Sequence, residues 1–284
     1  MIEALSPSSE TFLADLNRVQ RRLDAAQRQI SSGLKVSAPS DDPDSISSIL
    51  QLHAELERNS QIRTNVTRTK AEVDTADSTV QQAIQALERV QTLGAQAAGS
   101  MQDETSRLAI DNEVESLQDQ IIGLSQTAVQ GRSLFSDALD ASREIEDPAG
   151  GSFPVARTLQ QVFDPRNPDG TPTTDNVFAS IASLRAELQA NNPDGIQTAL
   201  ESLKSAHEHL NQELGYYGAA QNRISNALDY AGKHEVELKT ALSNLQDADL
   251  TAAILELNQT STQQQAALSA QAKRPTSTLF DYLG

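Results

Sequence analysis

Apolar residues recur along both ends of this chain in alternating steps of four and three. The longest such row begins Ile196, Leu200, Leu203 and continues to Leu238, Leu242 and Leu245, with His207, Gln221 and Glu235 as its polar interruptions. That rhythm is the seam of a helix packed lengthwise on other helices. A helix of fifty residues spans about 75 Å, more than a compact single core requires. A shorter row of the same kind, Phe12, Leu16, Val19, Leu23, Ala26 and Ile30, predicts a first helix. Ser31-Ser32-Gly33 ends it, with Gly33 where a helix C-terminus favours glycine. In the loop that follows, Pro39 and Pro43 disfavour helix at the residues before them, Ser40, Asp41 and Asp42 offer N-cap oxygens, and Pro43 suits a first helical turn.

A second helix is predicted from about Asp44 to Ala98, on a row repeating every seven residues: Leu52, Asn59, Val66, Val73, Val80 and Leu87. Its companion row, Ile62, Thr69, Ala76, Ala83 and Val90, is small enough for close helix approach. After a turn at Gly99-Ser100, a third helix carries Ile110, Val114, Leu117, Ile121, Leu124 and Ala128. Short connections between long helices imply antiparallel neighbours.

Between Gly131 and Asn176 the rhythm collapses, and five of the ten prolines fall there together with Gly150-Gly151. Val155, Leu159, Val162 and Phe163 read as short strands or a hairpin. A stretch of about 45 residues is too short for a core of its own, so it should lie on the helices. Helix resumes with Asp175 or Asn176 as cap, followed by Val177, Ile181, Leu184 and Leu188. Past Leu245 the seam slips by one residue beside Asp247-Ala248-Asp249, to Leu250, Ile254, Leu257, Ser261, Gln264 and Leu268, which reads as a joint. Gln259 to Gln265 include four Gln and no apolar side chain, so the last segment has little to bury by itself.

These elements predict an all-α dominated fold. An elongated antiparallel helical bundle or coiled-coil rod is formed by the N- and C-terminal segments, with a small β-containing central excursion. Residues 41–130 and 175–245 make the rod, 131–174 the insertion, and 1–40 with 246–284 a terminal pair that orders upon packing with partners.

The net charge of −17 argues against nucleic acid as a partner, because phosphate binding needs clustered Lys and Arg. It keeps molecules apart until they are assembled. With no Cys, disulfides, thiolate metal sites and cysteine nucleophiles are excluded. No apolar run approaches the 18 residues of a membrane span, so no membrane insertion is expected. The first residues lack the basic and apolar regions of a cleaved leader, and an ordinary signal peptide is not expected.

His207 and His209 are two residues apart and point to different faces of a helix, which disfavours a shared metal. Carboxylate pairs such as Asp41-Asp42 and Glu235/Glu237 read as solvated charge, and no nucleophile elbow or phosphate-binding glycine loop is present. No catalytic, cofactor or metal site is expected. Arg18, Arg21, Arg22 and Arg28 put some positive charge near the N-terminus, but the heptad logic of both ends favours partner helices over a membrane surface. The resulting candidate assembly interface is Leu16, Val19, Leu23 and Ile30 with Leu250, Ile254, Leu257 and Leu268. A soluble helical adaptor or a secretion tip protein is the alternative of another class.

The run Gln29-Ile30-Ser31-Ser32-Gly33-Leu34-Lys35-Val36, followed by Pro39-Ser40-Asp41-Asp42-Pro43, resembles the N-terminal signature of the bacterial flagellin family. Leu245 to Leu250 and the tail Ser277 to Leu283 resemble that family's C-terminal segment. The resemblance implies a structural subunit that leaves the cell unfolded through the flagellar type III export channel. Its terminal helices, disordered in the monomer, would pair as an inner coiled coil, and the middle of the chain would be a variable outward insertion. Implied partners are its own copies, other flagellin-family subunits, hook-associated proteins and an export chaperone, with an extracellular place in the flagellum. The Pro39–Pro43 loop and the Asp281-Tyr282-Leu283 tail lean towards the hook–filament junction branch, and a short filament subunit is the alternative. Leu87 to Leu93 also resembles a surface sensed by an innate immune receptor, which would leave Arg89 and Leu93 exposed.

Overall fold

The computed structural model describes residues 7–99, 102–135 and 144–272. The chain divides into two compact units, Met1–Glu57 with Glu235–Gly284 and Arg58–His234. Two long helices, α2 (Pro43–Ala97) and α6 (Pro193–Gln246), contribute residues to both.

In the unit Arg58–His234, the seven-residue rows become the core. Val66, Val73, Val80 and Leu87 of α2 are buried, as are Ile196, Leu203, Leu210, Tyr217, Ile224 and Ala231 of α6. The alternate α6 positions Leu200, His207, Leu214, Gln221 and Leu228 are half-buried, so one deep row is flanked by one shallow row. Side chains of α2 reach main-chain carbonyls of α6: Asn59 Nδ2 donates to the Ala231 carbonyl and Gln91 Nε2 to the Leu203 carbonyl, each at 2.9 Å. Helix α3 (Glu104–Ser125) packs on α5 (Val177–Gln189), whose Val177, Ile181, Leu184 and Leu188 are all buried. Asn176 caps α5, its side chain accepting from the Ala179 N–H. Buried Arg107 donates to the Ala97 carbonyl at 3.0 Å and so satisfies an orphan acceptor at the end of α2.

Helix α3 stops at Ser125, and Ala128 belongs to strand β1 (Ala128–Val129), which pairs with β2 (Arg132–Ser133). Between them Gln130 and Gly131 both have positive φ, +52° and +78°, the two-residue turn that suits strand twist. A second hairpin joins β3 (Glu144–Glu146) to β4 (Ser152–Pro154) and buries Ile145 opposite Phe153. Leu159–Val162, read above as strand, is one turn of helix, α4. The reason is a capping box: Thr158 Oγ1 accepts from the Gln161 N–H while the Gln161 side chain accepts from the Thr158 N–H. The insertion joins the bundle's core through aromatic contacts, with Phe135 edge-on to Phe163 at 5.2 Å and to Tyr217 at 6.4 Å. Arg157 lies over the Tyr216 ring at 4.0 Å, and its Nε is 3.2 Å from Glu213. Burial pushes the Glu213 carboxyl above its ordinary range, with Arg157 and His209 opposing the shift.

In the other unit, α1 (Pro7–Ser32) ends at Gly33, whose φ of +72° is the left-handed turn that glycine supplies without strain. The loop beyond it is held by Asp41, whose carboxylate accepts from the N–H of Ala38 (2.8 Å), the N–H of Ser37 (3.0 Å) and the Ser37 hydroxyl (2.9 Å). Those bonds, Ala38's first, hold the Asp41 carboxyl below the usual range. Of the three candidate caps for α2, Asp42 serves, accepting from the hydroxyl of Ser45 at 2.6 Å and its N–H at 3.4 Å, and Pro43 opens the helix. Among the described residues of this unit, Val36, Ile49 and Leu238 are buried, together with Ala26 and Ala253.

Candidate assembly surface

Helix α6 ends at Gln246 and α7 (Leu250–Ala272) begins after the Asp247-Ala248-Asp249 joint, where Asp249 accepts from the N–H groups of Thr251 and Ala252. An antiparallel bridge joins Leu34 to Asp247. It is made by the Lys35 N–H to the Gln246 carbonyl (2.7 Å) and the Ala248 N–H to the Gly33 carbonyl (2.9 Å). From this bridge α1 and α7 run side by side in opposite directions and pack on each other.

The α1 face turned to α7 is the row Phe12, Leu16, Val19, Leu23, Ala26 and Ile30, half-buried except for fully buried Ala26. Leu16, Val19, Leu23 and Ile30 of the expected interface are therefore already engaged within the chain. The α7 row turned inward is Ala253, Leu257, Thr260, Gln264 and Ala267, in which only Ala253 and Thr260 are buried. Leu257 of the expected interface lies on this inner side.

Leu250, Ile254 and Leu268 lie beside Leu257 around the helix, at the rim of the inward row, and stay 47–49% exposed. Leu255 is 57% exposed, and Leu13 of α1 is 44% exposed. Apart from Leu257, the seam is built of small or polar side chains that let α1's larger row approach. The four-three spacing from Ala253 to Ala267 carried that signal. So did Glu256, the single charged residue of α7, which pairs with Arg22 of α1 at 2.6–2.8 Å. The outcome is a helix pair with one apolar stripe used internally and a second left open.

The other singled-out positions fall elsewhere. Leu93 is 3% exposed, which overturns its expected exposure; Arg89 is on the surface and pairs with Glu113 at 2.6 Å. Leu93 is enclosed because α2 meets two helices there: a Cβ on neighbouring Gly94 would come within 2.8 Å of Leu200 and 3.2 Å of Leu184. His207 faces Glu88 at 3.3 Å, while His209 donates to the Gln161 carbonyl at 2.9 Å, so the two rings serve different neighbours. The tail from Ser277 to Leu283 lies outside the described residues. Among those described, no helix is long and apolar enough to cross a membrane.

Two family models match the chain: the bacterial flagellin N-terminal helical region over residues 7–140, and the bacterial flagellin C-terminal helical region over residues 200–283. The flagellar filament 30.7 kDa core protein of Treponema maltophilum is 23% identical over 256 residues, covering 86% of each chain. Flagellar hook-associated protein 3 of Escherichia coli is 25% identical over 255 residues, covering 82% of this chain and 77% of that one. Among solved structures, one described as a flagellar hook-associated protein from Vibrio parahaemolyticus superimposes with a TM-score of 0.64 at 16% identity, over 73% of this chain and all of the other. Bacillus cereus FlgL does so with a TM-score of 0.56 at 17% identity, over 68% of this chain and 99% of that one.

Proposed function

The chain belongs to the bacterial flagellin family of flagellar structural proteins, and from that premise we propose that it is a self-assembling subunit at the hook–filament junction. The observation that carries this reading is the open apolar surface of α7, the stripe Leu250, Ile254 and Leu268 with Leu255 exposed apart from it, on a helix that buries only Ala253 and Thr260 within its own chain. Burial of aliphatic side chains contributes about 1.5–3 kcal/mol each when complete, so a pair that buries little internally stays weakly held until neighbours cover the rest. In the free subunit α1 and α7 open and close; in the assembly they zip against copies of themselves, exchanging chain freedom for buried surface. That coupling restrains polymerisation away from the growing end.

The junction is favoured over the filament by the Pro39–Pro43 loop and by the fold it shares with hook-associated proteins. A filament role is the second reading, supported by likeness of comparable strength to filament core proteins. In either role the subunit leaves the cell through the flagellar export channel with an export chaperone. An epitope-tagged subunit located by immunogold microscopy on isolated flagella tests the proposal. A band between hook and shaft supports it, label along the shaft supports the filament reading, and flagella without label refute both.

A further inference from the structure

We infer that Arg22 and Glu256 set the rotational phase of α7, and so decide which of its faces meets α1 and which is left for a neighbouring copy of this chain. The inference rests on the reading of the outward stripe as the assembly surface. Helix α7 offers two stripes roughly 75° apart. The inner one is mostly small or polar, with Ala253, Thr260, Gln264 and Ala267 beside one large aliphatic, Leu257; the outer one holds Leu250, Ile254 and Leu268. Burial alone favours the reverse arrangement, since the larger aliphatics would remove more area from water.

Two features oppose that roll. The row on α1 is large, so a mostly small row on α7 lets the helices approach around Ala253 and Thr260, whereas large against large throughout would hold them apart. Glu256 supplies the second. It is the only charged residue between Leu250 and Ala272, it lies on the inner side, and its Oε1 accepts from Arg22 Nε at 2.8 Å, with Nη2 at 2.6 Å. The Thr260 hydroxyl, one turn on, is 3.4 Å from the same oxygen. Turning the aliphatic stripe inward carries Glu256 away from Arg22.

The same pair guards the register. A slip of one heptad brings Glu256 opposite Asp15 or Gln29, and Arg22 opposite Asp249 or Gln263. The one new attraction, Arg22 with Asp249, arrives with a repulsion between Glu256 and Asp15. An ion pair this exposed, 51% at Arg22 and 35% at Glu256, adds little to total stability. Choosing between two faces needs only a difference between them, and single polar positions do set phase and register in helix pairs.

The chain has no Cys, so single cysteines are clean probes. In the full-length free subunit, Ile254→Cys is expected to react with a maleimide at least threefold faster than Ala253→Cys, with Thr260→Cys as a second inward probe. Adding Glu256→Arg, which opposes two guanidinium groups, should abolish or invert the difference, and adding Arg22→Glu to that variant should restore it. Equal rates in the parent background, a difference that survives Glu256→Arg, or no recovery on charge exchange would each overturn the inference. Because the labelling is read on the free subunit, its failure is separable from a failure to find the protein in flagella.

Discussion

The backbone N–H of Lys35 donates to the Gln246 carbonyl at 2.7 Å, joining residues 211 positions apart at the point where α1 and α7 begin their shared course. The bond makes the terminal helices a pair before any side chain is considered. Gly33 shapes it, since its carbonyl accepts from Ala248 and its φ of +72° turns the chain out of α1. A Cβ there would meet nothing within 4 Å, so the penalty of substitution is conformational alone. Gly33→Ala is expected to destabilise the terminal pair by about 1–2 kcal/mol, read as faster amide exchange across α1 with the Arg58–His234 unit unchanged.

Gly215 in α6 forms the contrast. It lies in helical backbone, and a Cβ would again meet nothing within 4 Å. Gly215→Ala is therefore expected to stabilise the fold by up to about 1 kcal/mol, measured by urea denaturation.

The two kinds of apolar residue should separate in mutation. Leu210 is fully buried and Leu255 is 57% exposed. Leu210→Ala is expected to cost about 2–5 kcal/mol in denaturation. Leu255→Ala should move stability by no more than about 0.5 kcal/mol, yet Leu255→Asp should reduce incorporation into flagella at least tenfold in a complementation assay.

How much of this was legible depended on what each row packs against. On α2 and α6 the large residues form the seam, so counting them located the core from Val66 to Leu87 and from Ile196 to Ala231. On α7 the inward row is mostly small, so counting large residues missed Ala253 and Thr260 as the buried positions and grouped half-buried Leu257 with the open Leu250, Ile254 and Leu268. Leu93 was misread because one seam was assumed where Leu184 and Leu200 of two different helices converge. The bridge from Leu34 to Asp247 could not be read at all, since main-chain pairing across 213 positions leaves no side-chain pattern.

Asp41 gives the loop after α1 a pH dependence of known sign. Its folded carboxyl titrates below the ordinary value because the N–H groups of Ala38 and Ser37 and the Ser37 hydroxyl favour the ionised form. Its contribution is fully present above the unfolded value near 3.8 and is lost as pH falls through the folded one. Amide protection of residues 34–42 should collapse on acidification below about pH 4, and Asp41→Asn should remove that step while lowering protection at neutral pH.

Glu213 has the opposite sign. Burial raises its carboxyl above 4.5, so the folded state holds the proton more tightly than the unfolded chain. Its contribution favours folding at low pH and is lost as pH rises from 4.5 through the folded value. Denaturation midpoints of Glu213→Gln should decline less than those of the parent across that interval.

The central claim is that the terminal helices are held weakly alone and firmly by neighbours. Hydrogen–deuterium exchange of α1 and α7, compared between the free subunit and the same protein in isolated flagella, tests it most directly. Protection of residues 12–30 and 250–268 should rise at least a hundredfold on assembly, while the α2 and α6 segments between Arg58 and His234 stay equally protected in both. Terminal helices protected to the same degree in the free subunit as in the flagellum would contradict it.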